Sequence, residues 1–592
     1  MKKHHALFSR TIPAVDGLYD YSSPECREQT VEALLDNCAL SRQRTELYWK
    51  KMRRYYDGVH DINYISGSFC EDMNLPWTPA QSSDGYVHVE SQIDPNIPDF
   101  EFSPLGRYSA VAAKQREDTV RRICDVNGIA EKNASNERRL NIYGSAVWKI
   151  GWGESSYAGT KRADVIIEAP MPEQIYIDPA ALSVDASEYI AFVYRMHNQR
   201  AFRIFADDIK ARGESFNDYL DSSCGGVVYE DAYEDDDTVV ITEFWFRQPV
   251  SGTVSGTRFN AGDIALCVLI NGKEVKYIPK YWINTDCAMY PFVIYNKVPN
   301  DGSIWGKSEL EQLIPLIDAA DRELTFAQLN AAFCSNDVIL AEENAFSDGE
   351  TPDNSPGAVW KLRPGMMGKV QRLGNLSSTQ VSQFNNHTLW QNLMEQTTGN
   401  FEVNQGKEPT RVTTASGIAL MNERAKSRQT LKKAGRTEGF KRLYSLIDYT
   451  ALEFYEKGRF VERGADGFEF DPDSYRSGEL SGTFPAVDIR IHVGDGLNNS
   501  KAFTVSAVSS LISTAITEDN YKFVKAYVDL IGLPMRNEIC EYLENKFSPA
   551  KKADGNGILD EIINDIRKSE SEEAADTEQK VQNPFEAPVI NL

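Results

Sequence analysis

Two long helical patterns separated by a short strand-rich excursion constrain this chain more than any other feature of its sequence. Ser308 opens the first pattern with Glu311 three residues on, the signature of a capping box at a helix start. Apolar or small residues then recur at Leu310, Leu313, Ile314, Ile317, Ala320, Leu324, Ala327 and Ala331. That single stripe at helical spacing predicts a helix running to about Phe333. At roughly 1.5 Å per residue such a helix is a rod of about 40 Å. The helical pattern stops for about 40 residues, resumes near Ser378 and carries Val381, Phe384, Leu389 and Leu393 before Gly399 breaks it. A layout of out, a small excursion and back can line a tube.

With 592 residues, 41% of them hydrophobic and 25% charged, the chain is long enough for several domain-sized units or one large body with insertions. Its longest apolar run, Ile264 to Ile270, falls far short of the roughly 20 residues that span a bilayer. The first residues carry charge but no apolar stretch of the secretory kind. Nine cysteines without a CxxC pair read as reduced thiols in a cytoplasmic setting, and seven dispersed histidines argue against a zinc site. The formal charge of −24 argues against a protein that grips nucleic acid by its phosphates over a broad surface. Locally the balance reverses. Between Lys407 and Arg442 lie ten basic residues against three acidic ones, while Asp560 to Glu578 holds eight acids and two bases. The charge is organised along the chain.

Residues 1–22 read as an arm, and Ser23-Pro24 offers an N-cap and a proline at the first helical position of a helix through Val31, Leu34, Leu35, Cys38, Leu47, Tyr48 and Met52. A second helical segment spans roughly Leu105 to Val126. Strands are expected at Ser145–Trp152, Asp164–Glu168, Ile175–Ile177, Tyr189–Tyr194, Thr238–Arg247, Ile264–Asn271, Phe292–Asn296 and Ala486–Val493. Glu230 to Asp237 reads as a solvated acidic loop. Helical patterns return at Thr504–Thr514, Asn520–Ile531 and Met535–Asn545, and the last 44 residues turn acidic and lose aromatic content, a composition expected to be disordered. The fold class is α+β, with helices and strands segregated.

Local signals for catalysis fail one by one. Gly302-Ser303-Ile304-Trp305-Gly306-Lys307-Ser308 approaches the phosphate-cradling GxxxxGK[ST] loop, but it is one residue short and Asp301 stands where the first glycine belongs. A capped helix start is the simpler reading; the alternative is an ATP-driven DNA-packaging or other nucleic-acid enzyme using Lys307 and Ser308 on phosphate. No GxSxG elbow is present. Asp471-Pro472-Asp473 and Asp495-Gly496 lack calcium-loop spacing and read as surface turns.

Asn400 to Thr414 is a polar loop, after which a long helix begins near Ala415 and runs through Leu431, Phe440, Leu443, Leu446, Ile447 and Leu452. Gly435 and Gly439 inside it each cost about 1 kcal/mol relative to alanine, a cost tolerated where a helix bends or packs closely; a kink is the expectation. Its basic residues Arg424, Lys426, Arg428, Lys432, Lys433, Arg436, Lys441 and Arg442 suit a polyanion or a neighbouring acidic subunit.

The order of these parts resembles the portal proteins of tailed bacteriophages, the head-to-tail connectors. The resemblance rests on the helical start, the strand-rich stretch with Pro172-Glu173-Gln174-Ile175-Tyr176-Ile177-Asp178-Pro179, the Gly306-Lys307-Ser308-Glu309-Leu310 opening of a long helix, the excursion with Asp337-Val338-Ile339-Leu340 and Ala358-Val359-Trp360-Lys361-Leu362, and Thr414-Ala415-Ser416-Gly417-Ile418-Ala419-Leu420 before the last long helix. It covers roughly residues 28–545. It implies a ring, in the family usually of twelve copies, at one capsid vertex of a virion assembled in the host cytoplasm. Residues 1–27 would be an arm, 28–300 a wing with a helical start, 301–334 and 377–399 the two stem helices, 335–376 the clip, and 400–414 the tunnel loop. Residues 415–494 would be a long kinked helix with further wing strands, 495–548 crown helices and 549–592 an acidic tail. DNA in the channel would meet Asn404, Gln405, Lys407, Arg411 and Thr413. Arg424, Lys426, Arg428, Lys432, Lys433 and Arg436 would face channel or neighbour. Val338, Leu340, Trp360, Leu362, Met366 and Met367 would make clip contacts. The implied partners are other copies of the chain, the major capsid protein or scaffold, the large terminase subunit, adaptor or tail proteins and passing double-stranded DNA, with no cofactor, metal, membrane or catalysis.

Overall fold

A computed structural model of the chain describes residues 14–15, 18–60, 81–105, 109–157, 160–220, 237–335, 339–342, 345–346, 361–372, 378–398, 415–463, 466–476 and 487–492, together with Tyr542 and Lys546. The acidic stretch before Asp237, residues 400–414 expected as a tunnel loop and the acidic tail lie outside the described residues, as does the 495–548 stretch expected as crown helices apart from those last two positions. The chain divides into two units, 1–491 and 492–592. In the second, the Lys546 Nζ donates to the Tyr542 hydroxyl at 2.7 Å.

The first helix, α1 (Pro24–Tyr56), starts as its sequence dictates: the Ser23 hydroxyl accepts from the Cys26 N–H at 3.1 Å and Pro24 occupies the first turn. The end of the expected arm is held against the body, where Tyr21 stacks on Phe246 at 4.0 Å between ring centroids. Then follow α2 (Asp84–Ser91), β1 (Asp99–Pro104), α3 (Ala110–Val126) and α4 (Ile129–Tyr143). A run of strands comes next: β2 (Ser145–Tyr157), β3 (Thr160–Glu168), β4 (Ile175–Ile177) and β5 (Tyr189–His197). After α5 (Asn198–Arg212) come β6 (Thr238–Arg247), β7 (Ile264–Ile270), β8 (Lys273–Ile278) and β9 (Phe292–Asn296).

These strands make two antiparallel sheets. One has five strands in the order β8-β7-β6-β5-β4, the other three in the order β9-β2-β3. In the larger sheet Ala191 sits opposite Phe244 and Cys267 opposite Phe244 on the other side, so one row with a central aromatic between two small residues crosses three strands. Both faces are covered. Val31, Leu34, Leu35 and Cys38 of α1 pack on the face made by Tyr189, Ala191, Phe244, Phe246, Ala265 and Leu269. The opposite face, with Ile190, Phe192, Trp245, Leu266 and Val268, joins the main core. That explains why β7 is apolar at every position instead of alternating: no face of it meets water.

Beyond β9 a hairpin of β10 (Val298–Asn300) and β11 (Ser303–Lys307) leads into α6 (Leu310–Ser335), a small two-stranded sheet of β12 (Ile339–Ala341) with β13 (Val370–Arg372), and α7 (Ser378–Thr398). The 40-residue α8 (Ala415–Phe454) follows, then the hairpin β14 (Arg459–Arg463) and β15 (Asp466–Phe470), and β16 (Val487–His492), which pairs with β1. The structure is a mixture of helix and strand, as the α+β expectation requires.

The C-terminal half of α8 runs through the core, with Phe440, Leu443, Tyr444, Leu446, Ile447 and Leu452 fully buried. The helix is assigned without a break across Gly435 and Gly439. A Cβ at Gly435 would stand 2.5 Å from the Asn296 carbonyl oxygen, and one at Gly439 2.5 Å from the Tyr295 ring. The two glycines therefore serve close approach to β9. At its far end the helix is clamped: the Glu453 carboxylate accepts from the N–H groups of Ile283, Asn284 and Thr285 at 2.8–2.9 Å and from the Thr285 hydroxyl at 2.8 Å.

Candidate functional site

The site the sequence points to is the helix pair, and its geometry starts at Gly302. Gly302 adopts φ 86°, turning the chain between β10 and β11, so Ser303–Lys307 is a hairpin strand and not a loop wrapped around an anion. The backbone donors a phosphate would need are already taken. Trp305 N–H donates to the Ser303 hydroxyl at 3.1 Å, Gly306 N–H to the Ser145 hydroxyl at 2.8 Å and Ser308 N–H to the Tyr48 hydroxyl at 2.8 Å. Residues 303–307 thus have the form of a hairpin strand, not of a phosphate-cradling loop. The same contacts correct the capping box: Tyr48, not Glu311, takes the Ser308 N–H, while the Ser308 hydroxyl accepts from Leu310 N–H at 3.2 Å and donates to the Asn141 carbonyl at 2.8 Å.

The first three turns of α6 are rooted in the body. Leu310, Leu313, Ile314, Ile317 and Ala320 are buried, as their spacing predicts, against α1 and α2. Polar groups complete the root. The Tyr55 hydroxyl donates to Asp318 at 2.7 Å, Ser82 N–H donates to Asp321 at 2.7 Å, and His60 pairs with Asp321 while stacking on the Tyr55 ring at 4.7 Å. Burial disfavours the charged imidazole of His60, but the Asp321 carboxylate outweighs it, with help from the Tyr55 carbonyl and Asp318, and holds the group above its ordinary value. Beside this, Lys297 donates to Asn141 at 2.7 Å and lies 3.6 Å from Glu309, which is 3.4 Å from His88.

Past Asp321 the helix pairs with α7 and its burial falls away. Phe326 on α6 is 40% exposed and Leu389 on α7 is 52% exposed, while Met394 and Thr398 near the end of α7 are buried. At the other end of the pair, Ile339 stands opposite Arg372 and Ala341 opposite Val370 in the small sheet. Leu340 is half-exposed between them. Leu362 forms a bridge with Phe346. Arg363-Pro364-Gly365-Met366 is a turn closed by the Met366 N–H to the Arg363 carbonyl at 3.1 Å, with proline second and Gly365 third at φ 85°, the sequence a type II turn demands. The turn leaves Met366 half-buried and presents Met367 at 87% exposure. The strand that pairs with β12 is β13, eight residues beyond Leu362, while residues 358–360 of the expected β insertion lie outside the described residues. Val338 and Trp360 lie outside the described residues, as do Asn404, Gln405, Lys407, Arg411 and Thr413.

The basic helix needs a correction. Arg436 faces inward: it is buried, its Nε lies 2.7 Å from Glu137 of α4, and its guanidinium reaches Asp94 at 3.4 Å. Lys441 lies 3.5 Å from Asp488 and Arg442 pairs with Asp185. Arg436 is enclosed by its own chain, whereas Lys441 and Arg442 lie nearer the surface; all three pair with carboxylates brought from elsewhere in the fold. Nothing in the sequence around Arg436 reveals this, because Glu137 is 299 residues away. The side chains of Arg424, Lys426, Arg428, Lys432 and Lys433 lie outside the described residues.

Among the described residues no group of three or more His, Cys, Asp or Glu is placed to hold a metal ion, and no helix is long and apolar enough to cross a membrane. No protein-family model matches the chain, and no curated protein matches it.

Proposed function

We propose that this protein is a channel-forming portal at one vertex of a viral capsid, through which double-stranded DNA is packaged and later ejected. The observation that carries this reading is the helix pair itself. It is rooted at one end by buried apolar and charged contacts, it carries a small sheet at the other, and between them it leaves Phe326 and Leu389 exposed. In a ring, those side chains belong at contacts between neighbouring copies, where burying each adds roughly 1.5–3 kcal/mol. A heterologous contact repeated around an axis closes into a hollow cylinder when the rotation closes.

In this reading α6 and α7 are stem helices and the sheet of β12 and β13 is the clip, where the packaging motor and later the head-completion or tail proteins dock. Residues 400–414, with Lys407 and Arg411, form the loop that touches DNA. The excess of acid elsewhere keeps the conduit from holding a polyanion that carries one charge per ~1.7 Å. The role is structural, without catalysis or cofactor.

Electron microscopy of the purified chain tests the proposal. Rings with a central hole are the expected result, about twelve copies by resemblance to portal proteins. A chain that stays monomeric under all assembly conditions overturns it. Replacing Lys407 and Arg411 together by Glu is expected to leave rings intact and to impair DNA packaging or retention; loss of rings would move both residues to a subunit contact.

A further inference from the structure

The outermost strands of both large sheets end on side chains. In the three-stranded sheet β3 is an edge, and its outward carbonyls are those of the odd-numbered residues. Arg459 donates to the Ala163 carbonyl at 2.8 Å, Asn127 to Val165 at 2.9 Å, Lys132 to Ile167 at 2.7 Å, and Arg139 to Ala169. Asn127 does more. Its Oδ1 accepts from the Ile167 N–H at 2.9 Å, so its amide imitates the donor and acceptor of one residue of a neighbouring strand.

The five-stranded sheet is treated the same way by one helix. At the β4 edge Arg42 donates to the carbonyls of Ile175 and, at 2.8 Å, Glu173, and the Cys38 thiol lies 3.3 Å from the Ile177 carbonyl. At the β8 edge the Glu28 carboxylate accepts from the Glu274 N–H at 2.8 Å, and the Tyr219 hydroxyl donates to the Glu274 carbonyl at 3.4 Å. Glu28 and Arg42 belong to α1, which crosses the sheet. Helix between them rises about 21 Å, and four inter-strand spacings come to about 19 Å. The helix is thus the right length to carry a polar group to each edge.

We propose that these side chains are edge guards: they close the β3 edge of the smaller sheet and both edges of the larger one to an added strand from another copy of the chain or from any extended partner. An unpaired strand edge is a template for further pairing, and a multimeric protein held at high local concentration is most exposed to that hazard. Specific contacts between copies would then be made by other surfaces. The inference is independent of the portal reading and holds for any assembly this chain forms.

The test is Asn127→Ala in the full-length chain, with a synthetic peptide of residues 163–169 as the strand probe. The folded variant is expected to exchange its Ile167 amide about tenfold faster at low concentration, the effect of one lost hydrogen bond. It is expected to regain protection as concentration rises and larger species appear in light scattering, and to bind the peptide where the parent protein does not. A folded variant with the parent's size distribution at every concentration and no peptide binding overturns the proposal. Should Asn127→Ala fail to fold, Asn127→Asp, which keeps an acceptor for Ile167 N–H and replaces the donor to the Val165 carbonyl by a negative charge, is read by light scattering and peptide binding alone, with the same two outcomes.

Discussion

Around β5, β6 and β7 apolar side chains find partners on both sides of the sheet, and the charges drawn inside are matched within the chain: Arg116 with Asp448, Arg27 with Glu274 at 2.6 Å, Lys149 with Glu243 at 2.8 Å. The helix pair behaves differently once it leaves the body. Between Arg322 and Gln328 α6 mixes buried and exposed positions, and Leu389, Leu340 and Met367 present large apolar groups to the surface. The charges buried in the body find their partners within one polypeptide. The out-and-back segment has a settled base and exposed apolar groups beyond it, which is what the proposed contacts between copies require.

Substitutions can break this contrast. The largest effect is expected at Arg116→Ala, which leaves Asp448 buried without its cation, where Arg116 itself is wholly enclosed. Such a loss costs about 3–5 kcal/mol and is read as a drop in the denaturant midpoint. Gly435→Ala comes next, because its Cβ meets a backbone oxygen that cannot swing aside; about 1–3 kcal/mol is expected from the same measurement. A loss within 0.5 kcal/mol would mean that α8 and β9 can separate freely.

The His60–Asp321 pair at the root of α6 gives a smaller, pH-dependent term. The folded histidine is held above its ordinary value of 6.5. Its contribution is therefore fully present below about that pH and is lost as pH rises through the higher folded value. His60→Gln is expected to flatten the stability profile over that window and to leave it unchanged in shape elsewhere. The smallest effect on stability belongs to the paired change Phe326→Ser and Leu389→Ser, expected at about 1 kcal/mol for the isolated chain because about half of each side chain is already in water. Yet this is the change expected to abolish rings in electron microscopy. A large stability loss with rings retained would reverse the comparison.

Several elements were legible in the sequence. Strands at Ile175–Ile177, Thr238–Arg247 and Phe292–Asn296 have the bounds their residues suggest, and α1 begins at its Ser-Pro cap. These segments carry their instruction locally, as β-branched and aromatic runs bounded by turn residues or as a cap. The helix α4 carried no such instruction. Its buried face is polar through the middle, with Asn133, Asn136, Glu137 and Asn141 inside between Ile129 and Tyr143, so the apolar period is interrupted. Their partners lie outside the helix: Asn136 donates to the Val147 carbonyl at 3.1 Å and Glu137 pairs with Arg436. The hairpin at β10 and β11 was likewise hidden, because Gly306-Lys307-Ser308 looks locally like the opening of a helix and only Ser145 and Tyr48 hold it otherwise.

By itself the sequence determined where the chain extends and where it coils, since periodicity, caps and turn residues act over a few positions. It determined the helix pair, including the stripe that roots α6. The tertiary structure decided which way Arg436 faces, that Gly435 and Gly439 admit a close approach to β9, and that Asn127 and Arg42 finish strand edges as strands would. Those choices rest on contacts between residues tens to hundreds of positions apart, and the free energy of such contacts exists only once the fold has brought them together.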